Sequence, residues 1–493
     1  MSDAPLAPLE AALGASIVAE AHLWHASASE CVLRLLMDEQ RLAAHLGAIR
    51  LVALMRAGDA AHELTTSLEA RCCGADATGR PTPGEAELAN MLEAAMRGSS
   101  VDQGSAEEVH RAHALSRPGA HMDGRTEALA QAEGDLAMAR CSIGWVGGRA
   151  PAIVDRSSLH AFDALRFDYD TRSNGGDGGE GASACGALST VISQEAIEVY
   201  SELMRFQIAA ARAQAATDAT FSELSAAERF LAARERTATR RLRGAPIAER
   251  EAAERAARAL RGRLHRVQRY RHEAAHFVRA FREHVGMQLA GVCWSELMAA
   301  LSRARTLGCV VKAHREYLEE AKVRCLLADD QAAAREAVES VLQGAISLHR
   351  LCDAAARQAE RLAGDAGAGA GAATMAALAD TGEYTAICEA HARFTDSAEF
   401  LYALLEQVAS RQRERGGEVQ DGGAGAGGLM LRLDYNQWVT RTALGHAVSD
   451  GCQDGGAAAS THVGAQAAAG GAGASAHFFT PMPAPAARNN FSR

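Results

Sequence analysis

The stretch Arg263–Leu327, RLHRVQRYRHEAAHFVRAFREHVGMQLAGVCWSELMAALSRARTLGCVVKAHREYLEEAKVRCLL, decides the fold. Val267, Tyr270, Ala274, Phe277, Val278, Phe281, Val285 and Leu289 recur at three- and four-residue steps, the spacing of one apolar stripe on a helix. Arg266, Arg269, Glu273, Arg279, Arg282 and Glu283 fall largely off that stripe. Gly291 predicts a break. Trp294, Leu297, Met298 and Leu301 predict a second helix ending near Gly308, and Val310, Val311, His314, Leu318, Ala321 and Cys325 a third. The third carries Lys312, Arg315, Glu316, Glu319, Glu320 and Lys322 outward, the mixed-sign pattern of a solvated face laced with weak pairs. Consecutive amphipathic helices with short connections predict a mainly α fold of antiparallel helix bundles.

Outward from this stretch, residues 1–70 read as a helical segment, with Leu33, Leu36, Met37, Leu42, Leu46, Ile49, Leu54 and Leu64 as its apolar positions. Residues 71–139 are rich in Gly, Pro, Ser and charge; they read as a low-complexity, partly disordered insertion with short helical patches such as Glu87–Met96. Residues 140–448 read as a helical domain with insertions near 171–187, 364–373 and 416–428. Its first part, 140–170, places Ile143, Trp145, Val146, Ile153 and Val154 among Gly and Pro and ends in Leu165–Tyr169, so it predicts a minor extended or β element. Ser193 is a natural N-cap, with Glu195 in the first turn and Ile197, Tyr200, Leu203, Met204 and Ile208 facing inward. Residues 335–362 predict another helix, and Phe394, Phe400, Leu401, Leu404, Leu405 and Val408 mark the last long one. Gly364–Ala373 and Gly416–Gly428 read as flexible, Gly/Ala-rich linkers, LMLRLDYNQWV as a closing segment, and 449–493 as a disordered tail.

Composition removes several function classes. The only lysines are Lys312 and Lys322, and neither lies in the Gly-Lys-Ser/Thr context of a phosphate-binding P-loop. Eleven cysteines are scattered without any C-x-x-C, which argues against a zinc ribbon or a disulfide framework and fits reduced thiols in the cytosol. No apolar run approaches ~18 residues, so no membrane insertion is expected, and MSDAPLAPLE lacks a signal-peptide core. A net charge of −10 argues against general nucleic-acid binding. Arg234–Arg271 is a local exception: a dense basic stretch that reads as the solvated face of a long helix, or as an electrostatic patch for an acidic partner.

His272-Glu273-Ala274-Ala275-His276 spells H-E-x-x-H, which on a helix puts two histidines one turn apart with the glutamate beside them. With Glu296 as third ligand it describes a zinc metallopeptidase: His272, His276 and Glu296 on the metal and Glu273 as general base. Against it, in a chain with 18 histidines and 61 acidic residues such a short pattern is expected by chance at roughly a few per cent, the usual false-positive problem of short motifs. His276 abuts Phe277-Val278 at the edge of a core stripe, no alternating strand precedes the motif, and Gly291 interrupts the path to Glu296.

Arg271-His272 through Phe277-Val278, then Cys293-Trp294-Ser295-Glu296-Leu297, then Ala313-His314 through Tyr317-Leu318, then Arg324-Cys325-Leu326-Leu327, resemble the carboxyl-terminal half of the gamma-tubulin complex components. There the pattern runs R-H-x-x-x-x-F-V, W-x-x-L, A-H-x-x-Y-L and C-L-L. Leu188–Phe206 resembles the family's V-I-S-x-x-A-x-x-x-Y helix start. Leu429–Asn436 resembles its closing L-L-R-L-D-F-N, with Tyr435 in place of Phe, and Leu33–Glu69 an upstream helix pair. The W-x-x-L and A-H-x-x-Y-L pieces lean towards components 5 and 6. The resemblance leaves out the Gly-rich insertions, the tail and the family's amino-terminal half, which packs laterally against neighbouring components. It implies a non-enzymatic scaffold without cofactors that binds gamma-tubulin and other complex components and supports microtubule nucleation. It also implies a location in the cytoplasm, at the cytoskeleton, the microtubule organising centre and the spindle pole. Partner contacts are expected at Arg271, His272, Arg432, Asp434, Tyr435, Asn436 and Trp438.

Overall fold

The computed structural model describes residues 17–73, 81–101, 124–149, 151, 158–171, 188–363, 370–414 and 425–434, all within one compact unit, Met1–His446. The fold is mainly α. The amino-terminal part contains α1 (Ala19–Arg34), α2 (Leu42–Ala53), α3 (Gly58–Cys72), α4 (Glu85–Met96) and α5 (Gly124–Arg140). A two-stranded antiparallel sheet follows, β1 (Cys141–Trp145) and β2 (Leu165–Tyr169), in the register Ile143 to Phe167. Then come α6 (Gln194–Arg241) and α7 (Ile247–Met287), a hairpin of 48- and 41-residue helices. The chain continues through α8 (Trp294–Arg303), α9 (Leu307–Arg324), α10 (Ala332–Ala363), α11 (Ala370–Ala379), α12 (Thr381–Glu414) and α13 (Gly425–Leu433).

The apolar stripes read from the sequence form two cores. The larger takes in the amino-terminal helices, the sheet and the inner faces of α6, α7, α9, α10 and α12; Leu46, Phe167, Tyr200, Phe281 and Leu401 are fully buried in it. The smaller lies farther along the hairpin, where Leu224 and Leu231 of α6 and Leu264 and Val267 of α7 meet Leu348, Met375, Leu378 and Ile387. Burying a side chain of this size stabilises the fold by about 1.5–3 kcal/mol. On α12, Phe394, Leu401 and Leu405 face inward while Phe400 is exposed.

Three sequence expectations are corrected. Within 71–139, α4 packs against α3 and β1, and α5 against α2. The helical patch expected at Glu87–Met96 is α4, and its Leu88, Leu92, Ala95 and Met96 are buried in the larger core. Gly291 does not break the chain: Gln288–Cys293 winds as a wide π turn that joins α7 to α8 and turns Gln288 inward, where it accepts from the Arg324 guanidinium at 3.2 Å. The linkers at 364–373 and 416–428 are shorter than their composition suggests, because α11 starts at Ala370 and α13 at Gly425. Gly371 belongs to packing: a Cβ there would lie 2.4 Å from the Ala226 carbonyl oxygen of α6.

Polar contacts lock these helices in register. Ser193 caps α6 by accepting from the Ala196 N–H at 3.2 Å. Ser201 joins α6 to β2, accepting from the Phe167 N–H at 3.0 Å. Arg212, buried on α6, reaches Glu69 of α3 at 2.6 Å and the carbonyls of Ser158 and Leu159 at 2.8 and 3.1 Å, with its guanidinium over the Phe162 ring. His314 of α9 is buried between Tyr200 Oη and the Val191 carbonyl, each at 2.9 Å. The carbonyl can only accept, so Nδ1 donates to it and Nε2 accepts from the Tyr200 hydroxyl. Burial pushes the His314 pKa down to about 4, which keeps the ring neutral and the arrangement intact. α9 then ends in a Schellman turn: Leu327 N–H bonds the Lys322 carbonyl at 2.8 Å, and Leu326 adopts φ +62°.

His314→Phe leaves the Val191 carbonyl and the Tyr200 hydroxyl without partners and is expected to cost about 2–4 kcal/mol in urea unfolding at pH 7.5. The folded pKa lies below the ordinary 6.5, so unfolded wild-type protein takes up a proton between pH 6.5 and 4 that the folded form refuses. The wild type's advantage over the variant therefore shrinks as pH falls through that window; a pH-independent difference would contradict the neutral-imidazole bridge.

Candidate partner interface

Beside the larger core, α7 and α13 leave an open cleft of about 410 Å³. One wall is the polar edge of α7: His272, His276, Arg279 and Glu283, at steps of four, three and four residues, with Arg271, Ala275 and Ala280 beside them. The other wall is Gly428, Leu431 and Arg432 of α13. The structure thus brings together Arg271, His272 and Arg432, which the sequence separates by more than 150 residues. Asp434 is the turn residue closing α13, with its N–H on the Met430 carbonyl at 2.9 Å, and it does not line the cleft. Tyr435, Asn436 and Trp438 lie outside the described residues.

Arg271, Arg279 and Arg432 face a single carboxylate, Glu283, so the cleft favours an anionic partner. Arg432 donates to the Met287 sulfur at 3.2 Å, which orients it along the rim. The Arg271 guanidinium lies 4.9 Å from the centre of the exposed Phe221 ring, and its partial burial lowers its pKa. His276 Nε2 and Arg271 Nε are buried atoms without a hydrogen-bond partner among the described residues. Just inside, burial and then the charge of Arg432 push the His284 pKa down to about 4. Leu431 is 68% exposed and gives the rim an apolar contact. Sequence reasoning missed Arg279, Glu283 and Leu431 as lining residues. The first two were legible as a polar stripe in phase with His272 and His276.

The H-E-x-x-H residues do not converge on a metal. His272 and His276 line the cleft, but the Glu273 carboxylate turns to α12, where His391 Nε2 donates to it at 2.6 Å while the His391 ring stacks on Tyr270 at 3.7 Å. Glu296, on α8, is paired with Arg324 of α9 at 3.2 Å. Among the described residues no group of three His, Cys, Asp or Glu side chains is placed to hold a metal ion. The glutamate's engagement with His391 and the pairing of Glu296 with Arg324 leave the two histidines without the base and third ligand that such a site needs.

A family model described as "Gamma tubulin complex component C-terminal" matches residues 42–438. The chain belongs to the gamma-tubulin complex component family. Human gamma-tubulin complex component 6 is 32% identical to it over 75 residues, a match that takes in 15% of this chain and 4% of that protein. This family is one of structural scaffolds rather than enzymes, associated with gamma-tubulin complexes, microtubule nucleation and the cytoskeleton. The metallopeptidase reading has no support from the match or from the geometry. No helix among the described residues is long and apolar enough to cross a membrane.

The family motifs turn out to be mostly interior. His314 bonds to both Val191 and Tyr200, Tyr317 meets Trp294 edge-on at 6.4 Å, and the Arg50 guanidinium covers the Trp294 ring at 4.2 Å. Two motifs reach the cleft, the one at Arg271-His272 and the closing one, through Leu431 and Arg432. Glu273→Gln should cost no more than about 1–2 kcal/mol of stability, the worth of one charge-assisted hydrogen bond. Equimolar zinc should leave the melting temperature of both proteins unchanged; a zinc-dependent rise lost in His272→Ala would restore the metal reading.

Proposed function

We propose that this protein is a gamma-tubulin-binding scaffold subunit of a gamma-tubulin complex, supporting microtubule nucleation at minus ends. The observation that carries this reading is the family match over 42–438, which covers all the long helices. The role is templating. A scaffold that holds gamma-tubulin molecules at a set spacing lowers the entropic cost of assembling the first ring, and nucleotide chemistry belongs to the tubulin. Other complex components are its further partners, and the cytoplasm, microtubule organising centre and spindle pole are its sites of action. Neither nucleic acid nor membrane insertion enters this reading.

The α7–α13 cleft is the surface we assign to gamma-tubulin. Its arginines suit an acidic protein, and Leu431 and the Arg271–Phe221 pair supply the rigid amphipathic contacts that concentrate binding energy at interfaces.

Purified protein should bind purified gamma-tubulin saturably, with no stoichiometric zinc in the sample. Arg279→Glu combined with Arg432→Glu should weaken binding at least roughly tenfold, about 1.4 kcal/mol, without changing the helical circular dichroism. No binding by the wild type would sink the scaffold reading; unchanged binding by the variant would move the contact surface away from the cleft.

A further inference from the structure

The tip of the α6–α7 hairpin is built unlike the rest of the molecule. From residue 232 to 263 no side chain is buried, although these residues complete two helices and the turn between them. The buried residues of the smaller core end at Leu231 on one helix and begin again at Leu264 on the other, with half-buried Leu260 packed against them. Beyond that line the hairpin is held by contacts across itself, such as the Arg261–Glu235 ion pair. The segment runs roughly 15–25 Å past the core at 1.5 Å per residue.

Its charge opposes that of the whole protein. Residues 232–263 contain ten arginines and four glutamates, a surplus of six positive charges in a chain whose net charge is −10. Arg261 is spent on Glu235, and Arg263 on the Leu378 and Ala379 carbonyls and the Tyr384 ring. Arg236, Arg240, Arg241, Arg243 and Arg250 are exposed and have no carboxylate partner among the described residues. Arg240 and Arg241 complement the negative end of the α6 dipole. Arg250, in the second turn of α7, has no such role, because the amino-terminal end of a helix favours acid. Apart from the part of it that Arg240 and Arg241 supply to the end of α6, this surplus is unburied and contributes self-repulsion rather than folding stability. Beside it, Ile247 is 66% exposed at the start of α7.

We propose that this tip is a docking surface for an acidic polypeptide segment, separate from the α7–α13 cleft and independent of the function assigned to it. Charge complementarity gives the sign of the partner, and Ile247 gives it one apolar contact. The length of the patch matches about six extended residues at ~3.3 Å each. A short acidic segment gains the tip's potential without reaching the acidic remainder of the chain. A long nucleic acid running past the tip would meet that remainder, and its affinity would come from arginines alternating with Glu235, Glu249, Glu251 and Glu254. One exposed isoleucine is too little apolar surface to anchor in a bilayer.

The test uses the full chain and a fluorescent twelve-residue Glu/Asp-rich peptide containing one leucine, with a Lys-for-Glu peptide as control. The acidic peptide should bind saturably and roughly tenfold more weakly when salt rises from 0.05 to 0.3 M, as screening shortens the reach of the charges. Arg240→Glu, Arg241→Glu and Arg243→Glu together should abolish binding. So should Arg236→Gln with Arg250→Glu, which leaves the end of α6 intact and suits the α7 dipole, so a lost turn cannot explain both results. The Arg236→Gln, Arg250→Glu protein should keep the wild-type melting temperature, since both side chains are exposed and neither lies at the end of α6. No saturable binding, or wild-type binding by both variants, overturns the proposal. So does tip-dependent binding of single-stranded oligonucleotide or of phosphatidylserine vesicles in preference to the peptide. The Arg279→Glu, Arg432→Glu protein should keep full peptide affinity, which separates failure of this proposal from failure of the gamma-tubulin reading.

Discussion

The neutral imidazole of His314 is the constraint on which the frame depends. It joins the turn at Val191 that launches α6 to the buried hydroxyl of Tyr200 in the same helix, and fixes both to α9. Without it, two strong polar groups would be stranded in an apolar core, and each stranded group costs about as much as several buried methylenes contribute. The same ring stacks towards Tyr317, which meets Trp294 under the Arg50 guanidinium, so the arrangement extends from the start of α6 through α9 and α8 to α2. These elements are far apart in sequence and meet through side chains with only one satisfactory geometry. Arg212 acts similarly farther along α6, with two backbone carbonyls and Glu69 converging on one buried guanidinium.

Given that anchoring, the long hairpin explains the distribution of function. α6 and α7 are packed on three sides near their anchored ends, by the sheet, by α9 and by the bundle of α10 to α12. Burial then falls away along the helices until only the two of them remain. α7 therefore carries three environments in one continuous helix: an apolar face in the cores, a polar edge open to the cleft, and a solvated basic end. The π turn after Met287 shifts the helical phase, turning Gln288, Leu289 and Cys293 into the interior so that α8 can pack without a loop.

Much of this was legible in the residues. The stripe from Val267 to Leu289, the Ser193 cap, the two strands flanking 146–164 and the helix from Val310 to Cys325 follow from periodicity and capping chemistry alone. What was hidden has a common physical cause. In this chain Gly and Ala serve both loops and close helix contacts, and composition cannot separate the two. Gly371 looks like linker and is a packing residue against α6; α13 begins inside what reads as a glycine linker. α4 was legible as the helical patch at Glu87–Met96; that it and α5 pack into the core was not, because their partners, α3, α2 and β1, lie elsewhere in the sequence. The cleft was half legible: Arg271, His272 and Arg432 were singled out from motifs, whereas their meeting depends on how α13 docks on α7, a tertiary fact.

The interior location of the motif residues also bears on what a family resemblance can tell. Val191, Tyr200, Trp294, His314, Tyr317 and Leu326 specify helix register and termination. They preserve a shape and leave the outer faces of the same helices free to vary. A scaffold that acts by spacing its partners needs such a division, because the spacing is only as well defined as the frame that holds it. The H-E-x-x-H sequence illustrates the converse. His272 and His276 belong to the outer edge of α7, Glu273 to its contact with His391 on α12, and Glu296 to an ion pair on a different helix. Contiguity in sequence grouped side chains that the helix distributes to separate surfaces. With Glu273 engaged by α12, the helical period still aligns His272, His276, Arg279 and Glu283 into the single edge that faces Arg432.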